Sequence, residues 1–170
     1  MTLVSKLERQ FLGARIDASL QTKLGEFHRA MGVPILPTPQ VPSDDRVRLR
    51  CRLILEECLE FIESCVDVGE GQPWHVSFKS AALNFAAAID KSAVRVDLPL
   101  AADALADIAY VVEGSNLEFG IDSGPVLDEV QRANMAKANG PRRADGKVMK
   151  PEGWTAPDIA GVLERQKAEQ

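Results

Sequence analysis

The stretch DRVRLRCRLILEECLEFIESCVDV, residues 45–68, decides the fold. At about 100° per residue, Cys51, Ile54, Leu55, Cys58, Leu59, Phe61, Ile62, Cys65 and Val66 fall on one broad face of a helix, which is expected to be core. On the same wheel Glu56, Glu57 and Glu60 share about 100° of arc, and Glu63 and Asp67 extend the acidic side. Ser43 or Asp44 offers the N-cap, and Gly69-Glu70-Gly71 ends the helix.

Outward from this helix the chain is punctuated at regular intervals. Upstream, Leu20, Leu24, Phe27 and Met31 mark a short amphipathic helix over 17–31, stopped by Gly32. Pro34, Pro37, Pro39 and Pro42 then forbid a helix and favour an extended crossing. Downstream, a loop holding Pro73, Trp74 and His75 leads to an alanine-rich helix over 77–91. Pro99 suits the first turn of a helix over 100–119, in which Leu105, Ile108, Ala109, Val112, Leu117 and Phe119 form a stripe expected to be buried, while Asp103 and Asp107 lie one turn apart. A further helix over 122–138 turns Val126, Leu127, Val130 and Ala133 inward and ends near Asn134 and Lys137. The remainder, 139–170, is turn chemistry loaded with cations, closing with a short helix over 157–167. No strand-like alternation or internal repeat occurs. The expected fold is all-α, a four-helix core over about 17–138 with an N-terminal helix and a basic C-terminal tail, in one domain of 170 residues.

Composition narrows the function classes. A net charge of -5 gives no general attraction to nucleic-acid polymers or anionic membranes. No apolar run reaches the roughly 18 residues of a membrane span, and Met1–Ile16 has no signal-peptide core. Cys51, Cys58 and Cys65 recur every seven residues, so successive thiols lie roughly 10 Å apart along one helix and cannot bridge. They read as small buried hydrophobes in a reducing, cytoplasmic compartment.

A Glu-rich helical wall is ordinarily a solvated face. Here Leu49 and Leu53 share the side of Glu56 and Glu60, and Asp103 and Asp107 sit in an apolar setting where unpaired charge is expensive. Divalent cations would offset that cost. Oxygen-only ligands select Mg²⁺, with Mn²⁺ as substitute. A di-iron site would need Glu-x-x-His, and the residues three after Glu56, Glu57 and Glu60 are Leu59, Glu60 and Glu63. In the tail, Lys137, Arg142, Arg143, Lys147 and Lys150 could neutralise a triphosphate. His28 and His75 lack a nucleophile signature and read as surface or packing residues. Trp154 could stack on a base or anchor the tail.

The Glu-Glu-x-x-Glu motif at Glu56–Glu60, the acidic helix around Asp107, the run from Arg132 through Asn134 to Lys137, and Asp145-Gly-Lys147 to Lys150-Pro-Glu-Gly-Trp154 together resemble the MazG-like all-α nucleoside triphosphate pyrophosphohydrolases. The likeness leans to the compact, dimeric, dUTPase-like branch, which Glu26-Phe27-His28-Arg29 also fits, and includes phage-encoded members acting on dGTP. The resemblance implies hydrolysis of a (deoxy)nucleoside triphosphate to monophosphate and pyrophosphate by a homodimer or dimer of dimers, with two or more Mg²⁺ ions per site. It implies Glu56, Glu57, Glu60 and Asp107 as metal ligands, Glu57 or a neighbour as the base, and Asn134, Lys137, Arg142, Arg143, Lys147 and Lys150 as phosphate contacts. The alternative is a nucleotide-binding or regulatory bundle with little turnover.

One position departs from the pattern. The family's second motif is Glu-x-x-Asp, and ending it on Asp107 puts Ala104 at the glutamate position. Asp103 points about 100° away around the helix. Asp103 with another acid compensates, or this copy is weakened, or Ala104 is a substitution made to slow turnover. The last is favoured, because one residue would restore Asp-Glu-Leu-Ala-Asp.

Overall fold

A computed structural model describes residues 18–66, 75–141 and 148–168. Among them are six α-helices, α1 (Ala18–Met31), α2 (Asp44–Cys65), α3 (His75–Lys91), α4 (Leu98–Glu118), α5 (Ser123–Ala136) and α6 (Ile159–Ala168), with a 3₁₀ turn at Lys137–Asn139. There is no strand element among these residues, and the all-α expectation holds. None of the described helices is long and apolar enough to cross a membrane. The expected stop at Gly69–Gly71, the loop residues Pro73 and Trp74, and Asp67 lie outside the described residues.

Two compact units divide the chain, one over 38–101 and the other made of the N-terminal residues to Pro37 with Ala102 onward. In the first, α2 and α3 form an antiparallel pair. Arg48 near the start of α2 donates to the Ser92 carbonyl at 3.1 Å, just past the end of α3. One turn on, Arg52 pairs with Asp90 at 3.0 Å. Ser43 occupies the N-cap of α2, though its side chain makes no capping bond. Asp44 and Asp45 fill the first turn instead, where they favour the positive end of the helix and lie 3.8 and 3.4 Å from Arg48. The Pro34–Pro42 segment is non-helical, as its prolines dictate.

The other unit is built around α5. Asp122 caps it, accepting from the Gly124 amide at 3.0 Å. Helix α1 lies along α5, where Gln131 donates to the Lys23 carbonyl at 2.8 Å and Lys23 pairs with Asp128. On another side α6 packs on α5, and Gln166 exchanges two hydrogen bonds with the Asp122 backbone, at 3.0 and 2.8 Å. Val162 of α6 and Ala133 of α5, 3% and 1% exposed, are the only buried hydrophobic residues among those described.

That result corrects two expectations. No residue of α2 or α4 is buried. Of the residues read as core, Phe61, Ile62, the three cysteines and Val66 just past the helix end are exposed, while Ile54, Leu55 and Leu59 are half-buried. Their face is broader than the single stripe that α3 covers. On α4, Leu105, Ile108, Val112 and Leu117 stand exposed, as does Phe119 just beyond its end. Periodicity identifies an apolar stripe, but not whether its cover belongs to the same chain.

After α5 the backbone doubles back. Gly140 donates to the Lys137 carbonyl and Met149 to the Pro141 carbonyl, each at 2.8 Å. A β-carbon at Gly140 would collide with the Met149 carbonyl oxygen, although the Gly140 φ of -78° is open to any residue. The requirement there is space alone. Gly140→Ala should therefore lower stability by about 1–3 kcal/mol, the usual cost of overpacking, as read by urea unfolding; wild-type stability would show that the two strands of this return do not approach as described.

Candidate functional site

The acidic helix supplies the first group of candidate residues. Leu55, Glu56, Leu59 and Glu63, with Arg52 a turn earlier, follow helical spacing along one stripe of α2. With Ala82, Leu83 and Ala86 of α3 they line a shallow cleft of about 190 Å³. Its floor is apolar and its rim carries two carboxylates and one guanidinium. Ligand pockets generally begin near roughly 300 Å³, so this cleft suits part of a nucleotide and not the whole. Glu57 and Glu60 are exposed on α2.

Asp107, Asp103 and Ala104 are exposed on α4, in the other unit. The desolvation cost expected for the two aspartates therefore does not arise within this chain. Oxygen donors suit a hard divalent cation in kind. In arrangement they stop short of a closed site: among the described residues no three His, Cys, Asp or Glu side chains gather to hold a metal ion.

The second group forms at the end of α5. Lys137 donates to Asn134 Oδ1 at 2.9 Å, so these two predicted phosphate contacts are brought together. Trp154 anchors the returning tail, its indole Nε1 donating to the Ala133 carbonyl at 2.8 Å. Lys150 Nζ lies 4.2 Å from the centre of that indole ring and Lys137 Nζ lies 5.3 Å from it. Arg142, Arg143 and Lys147 lie outside the described residues. His28 takes a structural part, its Nδ1 lying 3.3 Å from the Pro34 carbonyl.

An ion pair holds the tail in place. Arg132 grips Glu129 through two nitrogens, at 2.9 and 2.7 Å. It also donates to the Ala156 carbonyl at 3.2 Å. Glu129 in turn accepts from the Asp158 amide at 2.8 Å. The hydrogen bond from Arg132, then that from Asp158, hold the Glu129 carboxyl down at about 2, and the same partner raises the Arg132 guanidinium. Sequence reading marked Arg132 as part of a motif but missed Glu129, whose spacing of three residues was the available signal.

A family model for phosphoribosyl-ATP pyrophosphohydrolase matches residues 24–134, well over half of the chain. The chain belongs to this family. It thereby joins the MazG-like all-α NTP pyrophosphohydrolases, a group that acts on nucleotides. Among solved structures, a protein from Exiguobacterium sp. 255-15, provisionally named as an NTP pyrophosphohydrolase and solved at 1.78 Å, superposes with a TM-score of 0.68 at 28% identity. The alignment covers 89% of this chain and 98% of that one. No curated protein matches. The pyrophosphohydrolase family match takes in the acidic residues of α2 and α4 and ends at Asn134, before Lys137, Lys150 and Trp154.

Because Glu129 is depressed, its contribution to tail docking is fully present above the ordinary carboxyl value of 4.5 and is lost as pH falls through about 2. With Trp74 replaced by Phe, Trp154 emission should change across that window, and Glu129→Gln should remove this step. A step of equal size in Glu129→Gln would assign the transition to other carboxylates.

Proposed function

We propose that this chain hydrolyses the α–β phosphoanhydride of a nucleoside triphosphate, giving the monophosphate and pyrophosphate. The observation that carries the reading is the meeting of Lys137 and Lys150 on the Trp154 ring at the end of α5, with Asn134 bonded to Lys137, in a chain whose family acts on nucleotides. On a protein of net charge -5, a local cationic cluster supplies the attraction for an anion that the overall charge does not. Candidate substrates are dUTP and dGTP, from the dUTPase-like resemblance, and phosphoribosyl-ATP, from the family name.

In this reading one water is consumed. Glu57 accepts its proton as the new P–O bond forms, and pyrophosphate leaves with the bridging oxygen. Lys137, Lys150 and Asn134 hold the phosphate chain, with Arg142, Arg143 and Lys147 as further contacts. Glu56, Glu57 and Glu60, with Asp107 as the candidate on α4, would hold Mg²⁺ or Mn²⁺, two or more ions per site, supplying charge neutralisation for the phosphates. The cleft beside Glu56 offers an apolar surface of a size for part of the substrate.

The assembly proposed is a homodimer or dimer of dimers. Helix α4 is apolar on more than one side, with Tyr110, Val111 and Val112 at 80%, 66% and 52% exposure. On α3, Leu83 and Phe85 are each 64% exposed. Apolar surface of this extent marks an interaction site. Light scattering coupled to size exclusion should give twice or four times 18.5 kDa; a monomer would contradict the assembly.

Pyrophosphate release from a panel of NTPs, dNTPs and phosphoribosyl-ATP tests the activity. At least one should be turned over with Mg²⁺ or Mn²⁺, and chelation should abolish it. Ala104→Glu should raise the rate by about a hundredfold or more, the scale of one acid–base group. Nucleotide binding without product, persisting in Ala104→Glu, would instead establish the regulatory bundle.

A further inference from the structure

We infer that Trp154 is a positioning residue, whose indole holds the Lys137 and Lys150 ammonium groups together as a preformed receptor for a polyphosphate chain. This rests on the proposed function for its substrate, and adds a residue beyond the family match.

The indole is fixed before any ligand arrives. Its Nε1 donates to the carbonyl of Ala133, a residue 1% exposed, and its backbone amide closes a turn onto the Pro151 carbonyl at 3.2 Å. Gly153, with φ +73°, makes that turn available, since the left-handed region favours glycine. The ring is thus tied at its polar edge and through its backbone. Its π surface carries negative quadrupolar charge and attracts cations within about 6 Å of the centroid. Lys150 at 4.2 Å and Lys137 at 5.3 Å both meet that distance.

Two ammonium groups on one ring repel each other. Their distances to the common centroid keep the nitrogens below about 10 Å apart, within the screening length of 0.1 M salt. Lys137 has Asn134 Oδ1, a neutral acceptor, and lies at the negative end of α5. Among the described residues neither lysine is paired with a carboxylate. Elsewhere in this unit lysines do find acids: Lys23 pairs with Asp128 and Lys167 with Glu164. The indole hydrogen bond, the turn onto Pro151 and the Arg132–Glu129 pair already fasten the tail, so that fastening does not call for two lysines on one ring. A second cation on the same ring, unpaired with a carboxylate among the described residues, suits an incoming polyanion, whose successive phosphates carry charge to both ammonium groups.

The probe is inorganic pyrophosphate, with orthophosphate and a dNTP as comparison arms, titrated into full-length protein carrying Trp74→Phe so that Trp154 is the sole indole. Pyrophosphate and dNTP should give a saturable change in Trp154 emission, at least about tenfold tighter than orthophosphate, and Lys137→Gln/Lys150→Gln should weaken it about tenfold or more. Trp154→Leu should raise KM for the hydrolysed nucleotide by about tenfold with kcat within about twofold, and Trp154→Phe, which keeps a ring face, should recover part of that loss. If Trp154→Leu does not fold, the Trp154→Phe kinetics and the titration remain decisive. An emission unaffected by pyrophosphate and dNTP, or a double-glutamine variant that binds as tightly, would overturn the assignment. So would a Trp154→Phe variant that loses kcat and leaves KM unchanged. The titration needs no turnover, so it stands apart from the hydrolase reading: binding without pyrophosphate release would remove that reading and leave the receptor in place.

Discussion

The hydrogen bond from the Trp154 indole to the Ala133 carbonyl joins the tail to α5, and the cationic group depends on it. Ala133 is near the end of α5, where main-chain carbonyls run out of helical partners. Filling one of them from the tail brings Lys150 back beside Lys137, thirteen residues earlier in the chain. The Arg132–Glu129 pair and the Asp158 amide then extend the fastening to the start of α6. Asp158 caps that helix by accepting from the Gly161 amide at 3.0 Å, and a β-carbon at Gly161 would run into the same carboxylate. Several small constraints thus converge on a short segment, and they set where its cations lie.

The acidic helix obeys a different logic. Glu56, Glu57 and Glu60 are exposed, as is Cys58 among them, while Leu55 and Leu59 beside them are only half-buried. Exposed carboxylates remain hydrated and cost nothing, so the single chain has no need of a counter-ion there. Bringing a triphosphate against them is another matter, because like charges repel at close range. A dimer that covered the apolar surfaces of α3 and α4 would also lower the dielectric around nearby acids, raising the value of a divalent cation. The proposed assembly and the proposed metal dependence are physically linked in this way.

Helix existence was legible because its signals are local. Pro99 and Gly32 punctuate the chain, and the expected helices agree with the observed ones to within about three residues at either end. Burial was not legible from the same pattern. The α4 stripe of Leu105, Ile108 and Val112 has helical spacing whether its cover is another helix of this chain or a second chain. The acidic motif was visible as residue types at short spacing, but its cleft was not, since Leu55 and Leu59 read as core and the α3 residues opposite them carry no signal. The meeting of Lys137, Lys150 and Trp154 was not, since it depends on a backbone return at Gly140 for which the sequence offers only turn-forming residues.

A ³¹P NMR time course of one hydrolysed nucleotide tests the central claim most directly. The account predicts loss of the triphosphate resonances with equimolar growth of nucleoside monophosphate and pyrophosphate. Appearance of orthophosphate with a nucleoside diphosphate as the primary products would contradict it.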